Sequence, residues 1–212
     1  MSQKFKAVIF DMDGLMFDTE SQYFEIHSEM SRMRGKIFTP EVQATVMGKR
    51  AIEVMSGLNV FWGRGEEVGD LLVEQDAMLV RAYEERVDVM PGLHELLHRL
   101  KLGNTRLAIG TSSRGFLVDL LLTKHNISSL FEVVVTGDMV ARGKPDPEIY
   151  TLCMSRLGLD PKDCAVLEDS VNGVLAGVAS GAVTIAVPSE LTKSGDFSAT
   201  HYVVSSLEDP EL

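Results

Sequence analysis

The strongest constraint on the fold is a regular alternation of short apolar runs with longer amphipathic segments that begins near residue 93. The apolar runs predict strands, and the amphipathic segments between them predict helices. The predicted strands are residues 7–10, 106–110, 133–135, 164–167, 183–187 and 202–204. The predicted helices are residues 93–102, 116–125, 148–157 and 171–180. Strands that alternate with helices favour an α/β fold with a central parallel sheet and right-handed crossovers.

A long helical block, from about residue 20 to residue 86, separates the first strand from this alternation. Pro40 can begin a second helix within the block, because proline fits the first turn of a helix. The positions at which we expect the helices to break are Gly57, Gly63 and Gly65. Since the block interrupts the alternation, we predict an inserted all-α cap of residues 19–87 and a discontinuous core of residues 1–18 and 88–212.

The composition is that of a soluble globular protein. The chain has 212 residues, of which 45% are hydrophobic and 24% charged. It carries 20 basic and 31 acidic residues, for a net charge of −11. This balance argues against nucleic acid or an anionic membrane as a partner, since phosphate contacts need clustered Lys and Arg.

Two cysteines cannot form a disulfide framework, and the first apolar run is too short to span a membrane. We therefore expect a cytoplasmic monomer.

Polar residues follow the first four predicted strands, where each strand ends. In an open α/β sheet, ligands bind outside the carboxyl ends of the strands. Each of these polar groups alone is typical of a solvated loop or turn, but four of them at one edge of a sheet indicate a site. The groups, in chain order, are Asp11 and Asp13, then Thr111 and Ser112, then Lys144, and finally Glu168 and Asp169.

These residue types suit phosphoryl transfer. Asp11, Asp13 and Asp169 would crowd three carboxylates together, and a hard divalent cation such as Mg²⁺ relieves that crowding while it binds phosphate. Thr111 and the backbone amides of the helix start after it can form a cradle for an anion. Lys144 supplies a positive charge that can neutralise both the carboxylates and a transferred phosphoryl group.

The same residues resemble the four motifs of the haloacid dehalogenase superfamily. The similarity extends over residues 10–20, 143–150 and 167–173 and follows the family's order along the whole chain. It implies a Rossmann-like core of three layers, with a small helical cap inserted after the first motif. Within the superfamily, the chain is most similar to capped phosphatases and β-phosphoglucomutases. Residues 46–53 look like the matching part of pseudouridine-5′-phosphatases.

The resemblance also implies roles for individual residues. Asp11 would be the nucleophile that forms an aspartyl phosphate, and Asp13 would protonate the leaving oxygen and then activate water. The residues implied to bind phosphate are Gly14, Thr111, Ser112 and Lys144. The residues implied to hold Mg²⁺ are Asp11, Asp13 through its backbone carbonyl, and Asp169, with Glu168 either binding the metal directly or lying beside it.

Two reactions on this scaffold remain open, and phosphatase is favoured over phosphosugar mutase. The β-phosphoglucomutases carry a His where this chain has Tyr23, and an Arg where it has Ala51. The expected substrate is a small phosphomonoester, such as a sugar phosphate or a nucleoside monophosphate. Lys49 and Arg50, in the cap, are candidates to contact the leaving group. The alternative for both is that they are solvated cations at the start of a helix.

Two hypotheses from other classes also follow from the sequence. The first is a catalytically quiet binding domain on the same fold, which the intact set of motif residues argues against. The second is a zinc peptidase, because residues 94–98 match the HExxH pattern. Since the leucines of that segment define its buried face, we predict that His94 and His98 are surface residues and not zinc ligands.

Overall fold

Six parallel strands form the centre of the protein, in a computed structural model that describes residues 5–212. Their order across the sheet is β3-β2-β1-β4-β5-β6. The strands are β1 (Ala7–Phe10), β2 (Arg106–Gly110), β3 (Val133–Val135), β4 (Cys164–Glu168), β5 (Val183–Ala186) and β6 (Tyr202–Val203). The predicted α/β class is confirmed, and the predicted strand ends differ from these by at most one residue.

Within residues 5–212, eight α-helices accompany the sheet. They are α1 (Glu20–Met33), α2 (Pro40–Val46), α3 (Ala51–Trp62), α4 (Val68–Arg86), α5 (Leu93–Leu102), α6 (Gly115–Lys124), α7 (Glu148–Leu157) and α8 (Val171–Ala179). The first four lie between β1 and α5 in the chain, where the sequence predicted the helical block. The last four correspond to the predicted helices of the alternating region.

The central strand β1 is buried on both faces. Val8 and Phe10 belong to an apolar core that includes residues of α1 to α6, whereas Ala7 and Ile9 belong to a second core with residues of α7 and α8. Because alternate side chains of a strand point to opposite faces, the sheet is the middle of three layers. A strand buried on both faces needs a continuous apolar run, which is the run that the sequence shows.

Within the helical segment, the structure corrects one predicted break. Gly57 lies inside α3, at an exposed position, and does not interrupt the helix. The buried face of α3, formed by Val54, Met55, Leu58 and Trp62, outweighs the roughly 1 kcal/mol that an internal glycine costs. Gly63 does end α3, with the positive φ of 67° that glycine adopts readily. Pro40 begins α2, as predicted.

The order of the strands creates a switch point between β1 and β4. From β1 the chain adds β2 and β3 on one side, and later adds β4, β5 and β6 on the other. Phe10 of β1 pairs with Leu167 of β4, so the residues that follow the two strands begin as neighbours. Crevices at such switch points are where open α/β sheets bind their ligands.

Helix α8 packs closely on the sheet through two glycines. A Cβ on Gly173 would lie 1.7 Å from Glu168 Oε1, and one on Gly177 would lie 2.7 Å from Thr184 Oγ1. Gly181, four residues further along the chain, follows α8 in a turn with a φ of 83°.

Cys153 and Cys164 are buried free thiols. Over residues 5–212, no helix combines the length and the apolar character needed to cross a membrane.

Candidate active site

The ends of β1 and β4 bring three acidic residues into one buried cluster. Asp11 follows β1 directly, and its backbone N–H donates to Leu167 O of β4 at 3.0 Å. Asp11, Glu168 and Asp169 each have a carboxylate oxygen within 4.8 Å of those of the other two. All three residues are buried. The sequence predicted this convergence from the carboxyl ends of neighbouring parallel strands.

Lys144 neutralises part of this cluster. Its Nζ lies 2.5 Å from Asp11 Oδ1 and 2.6 Å from Glu168 Oε1, and its side chain is only 2% exposed. The ammonium also lies 4.9 Å from the centre of the Tyr150 ring, a cation–π contact. Lys144 thus links Asp11, which follows β1, to Glu168, which ends β4.

Glu168 has no free carboxylate oxygen. Oε1 accepts hydrogen bonds from Lys144 Nζ and from the Tyr150 hydroxyl, both at 2.6 Å. Oε2 accepts from the backbone N–H and the hydroxyl of Ser170, both at 3.1 Å. The close approach of Gly173 leaves the carboxylate no room to move towards α8.

Asp169, unlike Glu168, has a carboxylate oxygen without a hydrogen-bond partner among the described residues. This oxygen is Oδ2, and it is buried. Gly14 approaches this oxygen so closely that a Cβ at position 14 would lie 2.4 Å from it, and the φ of Gly14 is 75°. Position 14 therefore needs glycine for both conformation and space. An unpaired buried carboxylate oxygen is unfavourable, so this one is available to a cation.

The electrostatics of the cluster also favour a cation. Burial raises the pKa of Asp11 well above its usual value, and the attraction of Lys144 opposes the shift without cancelling it. Burial likewise raises the pKa of Asp169, and the neighbouring carboxylate of Glu168 raises it further. Burial alone would lower the pKa of Lys144, but the charges of Asp11 and Glu168 outweigh it and raise that pKa. One ammonium among three carboxylates leaves uncompensated negative charge, and oxygen donors of this kind suit Mg²⁺.

Asp13 is held by a ring of hydroxyl groups. Its Oδ2 accepts from Ser113 at 2.6 Å and from Thr111 at 3.2 Å. Its Oδ1 accepts from Thr19 at 2.8 Å and from Tyr83 at 3.3 Å. Four donors from three parts of the chain fix both oxygens of this carboxylate at the edge of the pocket.

The two residues after β2 have different surroundings. Thr111 is fully buried, and its hydroxyl, besides donating to Asp13, accepts from the backbone N–H of Ser113 at 3.1 Å. Ser112 lies at the pocket, and its hydroxyl donates to Gly48 O of the helical segment at 2.9 Å. Ser112 therefore joins the sheet edge to the loop between α2 and α3.

The structure separates the two candidate cations of the helical segment. Lys49 lines the pocket and is exposed. Arg50 does not line it. The Arg50 guanidinium donates to Val140 O at 3.0 Å and to Glu53 Oε1 at 2.9 Å. Arg50 was a candidate either to contact the leaving group or to be a solvated cation. Its side chain instead joins the helical segment to the loop after β3.

A pocket with about 720 Å³ of space, its mouth included, lies over this edge of the sheet. One part of its wall comes from the predicted site residues Asp11, Asp13, Ser112, Lys144 and Asp169. Another part comes from helices α1, α2 and α4 and consists of Glu20, Tyr23, His27, Gln43 and Gln75. Its lining, which combines apolar side chains with a few converging polar groups, is that of a pocket for a small molecule.

Several of these residues were missed in the sequence. Ser113 stands next to two predicted residues, and its place after Thr111 and Ser112 was an available signal. Tyr83, Tyr150 and Ser170 touch Asp13 or Glu168, but nothing in their local sequence distinguishes them from ordinary core or cap residues. His94 and His98, which match part of a zinc-peptidase pattern, are both exposed on α5. The prediction that they are surface residues is confirmed.

Comparison with known proteins gives a consistent result. Residues 8–187 match the family model described as haloacid dehalogenase-like hydrolase. A phosphorylated carbohydrates phosphatase of Thermotoga maritima is 34% identical over 186 residues, covering 83% of this chain and 82% of the relative. A probable pseudouridine-5′-phosphatase of Drosophila melanogaster is 32% identical over 217 residues, covering 98% and 92%. The crystal structure of a β-phosphoglucomutase from Clostridium difficile has the same fold, with a TM-score of 0.85, 21% identity and coverage of 96% and 92%.

Proposed function

Because the chain belongs to the haloacid dehalogenase-like hydrolase family, we propose that it is a phosphatase that hydrolyses small phosphomonoesters through a phosphoryl group carried on Asp11. The observation that carries this proposal is the contact of Lys144 Nζ with Asp11 Oδ1 at 2.5 Å, beside the unpaired oxygen of Asp169. A carboxylate held in place by a buried ammonium, at the edge of a pocket, is a suitable nucleophile for phosphorus.

In the first half of the reaction, a carboxylate oxygen of Asp11 attacks the phosphorus and the bond to the leaving oxygen breaks. Asp13 gives its proton to that oxygen, so the leaving group departs as an alcohol. The hydroxyls of Ser113, Thr111, Thr19 and Tyr83 hold the Asp13 carboxyl in one orientation for this transfer. Lys144 balances negative charge on Asp11 and on the phosphoryl group.

In the second half, Asp13 is ionised and takes a proton from water. The water oxygen attacks the phosphorus, the bond between Asp11 and phosphorus breaks, and inorganic phosphate leaves. Asp13 is then protonated again and ready for the next substrate. This use of one residue as acid and then as base needs only a single carboxyl group within reach of both the leaving oxygen and the water.

The residues present fit a Mg²⁺ ion. Asp11, Asp169 and the backbone carbonyl of Asp13 would hold it, and the unpaired Oδ2 of Asp169 is the feature of this chain that calls for it. When bound, the ion would neutralise negative charge on the phosphoryl group and on the carboxylates. Since all four of its hydrogen bonds are to protein donors, we propose that Glu168 positions Lys144 and does not bind the metal.

We propose that residues 19–87 act as a cap over the site, with residues 1–18 and 88–212 as the core. Three hydrogen bonds between the two parts support the position of this segment against the core: Ser112 with Gly48 O, Arg50 with Val140 O, and Asn172 with Met47 O at 3.2 Å. A cap that closes over the pocket excludes bulk water and large substrates. This favours small soluble esters, such as sugar phosphates and nucleoside monophosphates.

The test is release of inorganic phosphate from a panel of small phosphomonoesters, with Mg²⁺ and with EDTA, by the wild type and by Asp11→Asn. The panel should contain sugar phosphates, polyol phosphates and nucleoside monophosphates. Release that needs Mg²⁺ and is lost in the variant supports the proposal. Accumulation of an isomerised sugar phosphate without free phosphate would identify a mutase. Neither product from any ester would favour a quiet binding domain.

A further inference from the structure

A set of polar residues in the pocket wall has no part in the chemistry proposed above. We call it the His27 subsite, and it consists of His27 on α1, Gln43 on α2 and Gln75 on α4. All three side chains are at least nine-tenths buried and line the pocket. Polar groups converging from three helices, where apolar packing is the simpler choice, indicate a ligand.

The hydrogen bond between His27 and Gln75 determines which ring nitrogen of His27 can accept a hydrogen bond. Nε2 lies 3.0 Å from Gln75 Oε1, and because an amide oxygen only accepts, Nε2 carries the proton. Nδ1 therefore presents a lone pair. Nδ1 is buried and has no hydrogen-bond partner in the part of the chain that the structure describes.

The charge and orientation of the ring are also fixed. Burial lowers the pKa of His27 to about 4, and the hydrogen bond to Gln75 opposes this shift only in part. The ring is therefore neutral near pH 7. It packs against Tyr23, with ring centres 5.8 Å apart, and edge-on against Phe38 at 5.5 Å. Since aromatic neighbours hold it on two sides, the lone pair of Nδ1 has a set direction.

His27 lines the pocket, and a buried acceptor on such a residue selects for a donor. The oxygens of an ionised carboxylate or of a second phosphate only accept, so they cannot satisfy Nδ1. A hydroxyl can donate to it. Gln43 Nε2 already donates to Glu20 Oε2 at 3.2 Å, and Gln75 Oε1 already bonds to His27, so further hydroxyls would meet Gln43 Oε1 and Gln75 Nε2. An alkyl chain in the same place would leave Nδ1 unpaired, which is unfavourable.

We propose that His27 is a specificity-determining residue whose Nδ1 accepts a hydrogen bond from a hydroxyl of the substrate's leaving group, so that the pocket selects polyhydroxylated phosphomonoesters. This inference rests on the proposed phosphatase function and narrows its substrate class. It distinguishes polyol and sugar phosphates from alkyl phosphates of the same length.

The experiment compares kcat/KM for two pairs of esters that share a carbon skeleton. The pairs are glycerol 3-phosphate with n-propyl phosphate, and glucitol 6-phosphate with n-hexyl phosphate. We expect the wild type to prefer the polyol ester of at least one pair, and His27→Leu to reduce that preference about 10-fold, the effect of one lost hydrogen bond. His94→Leu, the same change at an exposed position on α5, is the matched control and should keep the wild-type preference.

A second variant guards against misfolding. His27→Asn can present an amide oxygen near the position of Nδ1, so it should recover part of the preference that His27→Leu loses. Equal preferences in the wild type and a folded His27→Leu would overturn the proposal. The proposal would also be overturned if His27→Leu lost activity towards uridine 5′-monophosphate alone. The donor to Nδ1 would then be a nucleobase N–H and not a hydroxyl.

Binding separates this inference from the proposed function. Calorimetry gives the dissociation constants of glucitol 6-phosphate and n-hexyl phosphate for two proteins, the Asp11→Asn variant and the double variant that also carries His27→Leu. A binding preference that depends on His27, without phosphate release by the wild type, would support the subsite and refute the phosphatase. Phosphate release with no dependence of either preference on His27 would do the reverse.

Discussion

Lys144 and Asp11 form a buried ion pair, with 2.5 Å between Nζ and Oδ1, although 133 residues separate them in the chain. The pair forms because β1 lies at the centre of the sheet and the loop after β3 reaches back to its end. Lys144 also contacts Glu168, whose carboxylate is held in place by the close packing of Gly173. Glu168 therefore helps to fix the position of Lys144 beside Asp11. This arrangement holds Asp11 in place through one carboxylate oxygen, Oδ1.

Asp11→Asn should abolish phosphate release while the protein stays folded. An amide has nearly the shape of a carboxylate, but it is a poor nucleophile and cannot form the acyl phosphate. We expect a loss of at least about 10³-fold in kcat, measured as free phosphate. Asp119→Asn, at an exposed position on α6, is the control for the same chemical change. Substantial turnover by Asp11→Asn would rule out a covalent phosphoryl group on this residue.

Asp13→Asn should separate the two halves of the reaction. With a substrate whose leaving group needs little protonation, such as p-nitrophenyl phosphate, Asp11 can still be phosphorylated. Without a base to activate water, release of the phosphoryl group should become slow. Phosphoprotein should then accumulate after acid quenching, detected by mass spectrometry as an added phosphate on the Asp11 peptide. If the variant forms and loses this species as fast as the wild type does, Asp13 is not the acid and base.

Asp169→Asn should weaken Mg²⁺ binding more than it weakens the fold. The variant removes the charge from the buried carboxylate whose Oδ2 is unpaired, and a neutral amide oxygen is a weaker ligand for a hard cation. Mg²⁺ should raise the melting temperature of the wild type in proportion to its binding, and this rise should be small or absent in the variant. Asp119→Asn again serves as the control. A wild-type response in Asp169→Asn would place the metal elsewhere.

Gly173→Ala should destabilise the protein through Glu168. The added methyl group would overlap the carboxylate, which is held by Lys144, Tyr150 and Ser170 and cannot move away. Overpacking of this kind costs roughly 1–3 kcal/mol of the free energy of unfolding, measurable by urea denaturation. Gly69→Ala is the matched control, because position 69 lies in α4 with open space around it. There, alanine should be neutral or stabilising by up to about 1 kcal/mol. Equal effects at the two positions would contradict the close contact.

The sheet edge could be predicted because each of its residues follows an element with a clear signal. Asp11 ends an apolar run that can only be a strand buried on both faces, and Asp169 ends another. Parallel strands meet at one edge, so their ends had to converge. The hydroxyl run after β2 and the lysine after β3 were located by the same reasoning.

The cap side of the pocket could not be predicted in the same way. His27 and Gln75 lie on different helices, 48 residues apart, and the sequence fixes neither the angle between those helices nor their rotation. Arg50 shows the same limit, since the sequence left it as either a pocket residue or a solvated cation, and its side chain bonds to Val140 O. Gly57 shows a further one, because the apolar face of α3 overrides the local preference of a single glycine.

His27 should make the protein less stable as the pH falls from 7 to 5. Its pKa is about 4 in the folded protein, because burial disfavours the charged ring, against 6.5 for the exposed side chain. Between these values the unfolded chain binds more protons than the folded one, so the free energy of unfolding decreases with falling pH. The contribution of this one residue is up to about 2 kcal/mol over that interval.

The measurement is the free energy of unfolding at pH 7 and pH 5 for the wild type, His27→Leu and the exposed control His94→Leu. Asp11, Asp169 and Glu20, whose pKa values are raised on folding, contribute with the opposite sign and are present in all three proteins. The difference between the wild type and His27→Leu therefore isolates His27. The loss of stability at pH 5 should be smaller in His27→Leu than in the wild type and unchanged in His94→Leu. The same loss in all three would mean that His27 is charged and solvated in the folded protein, and Nδ1 would then carry a proton and could not accept a hydroxyl.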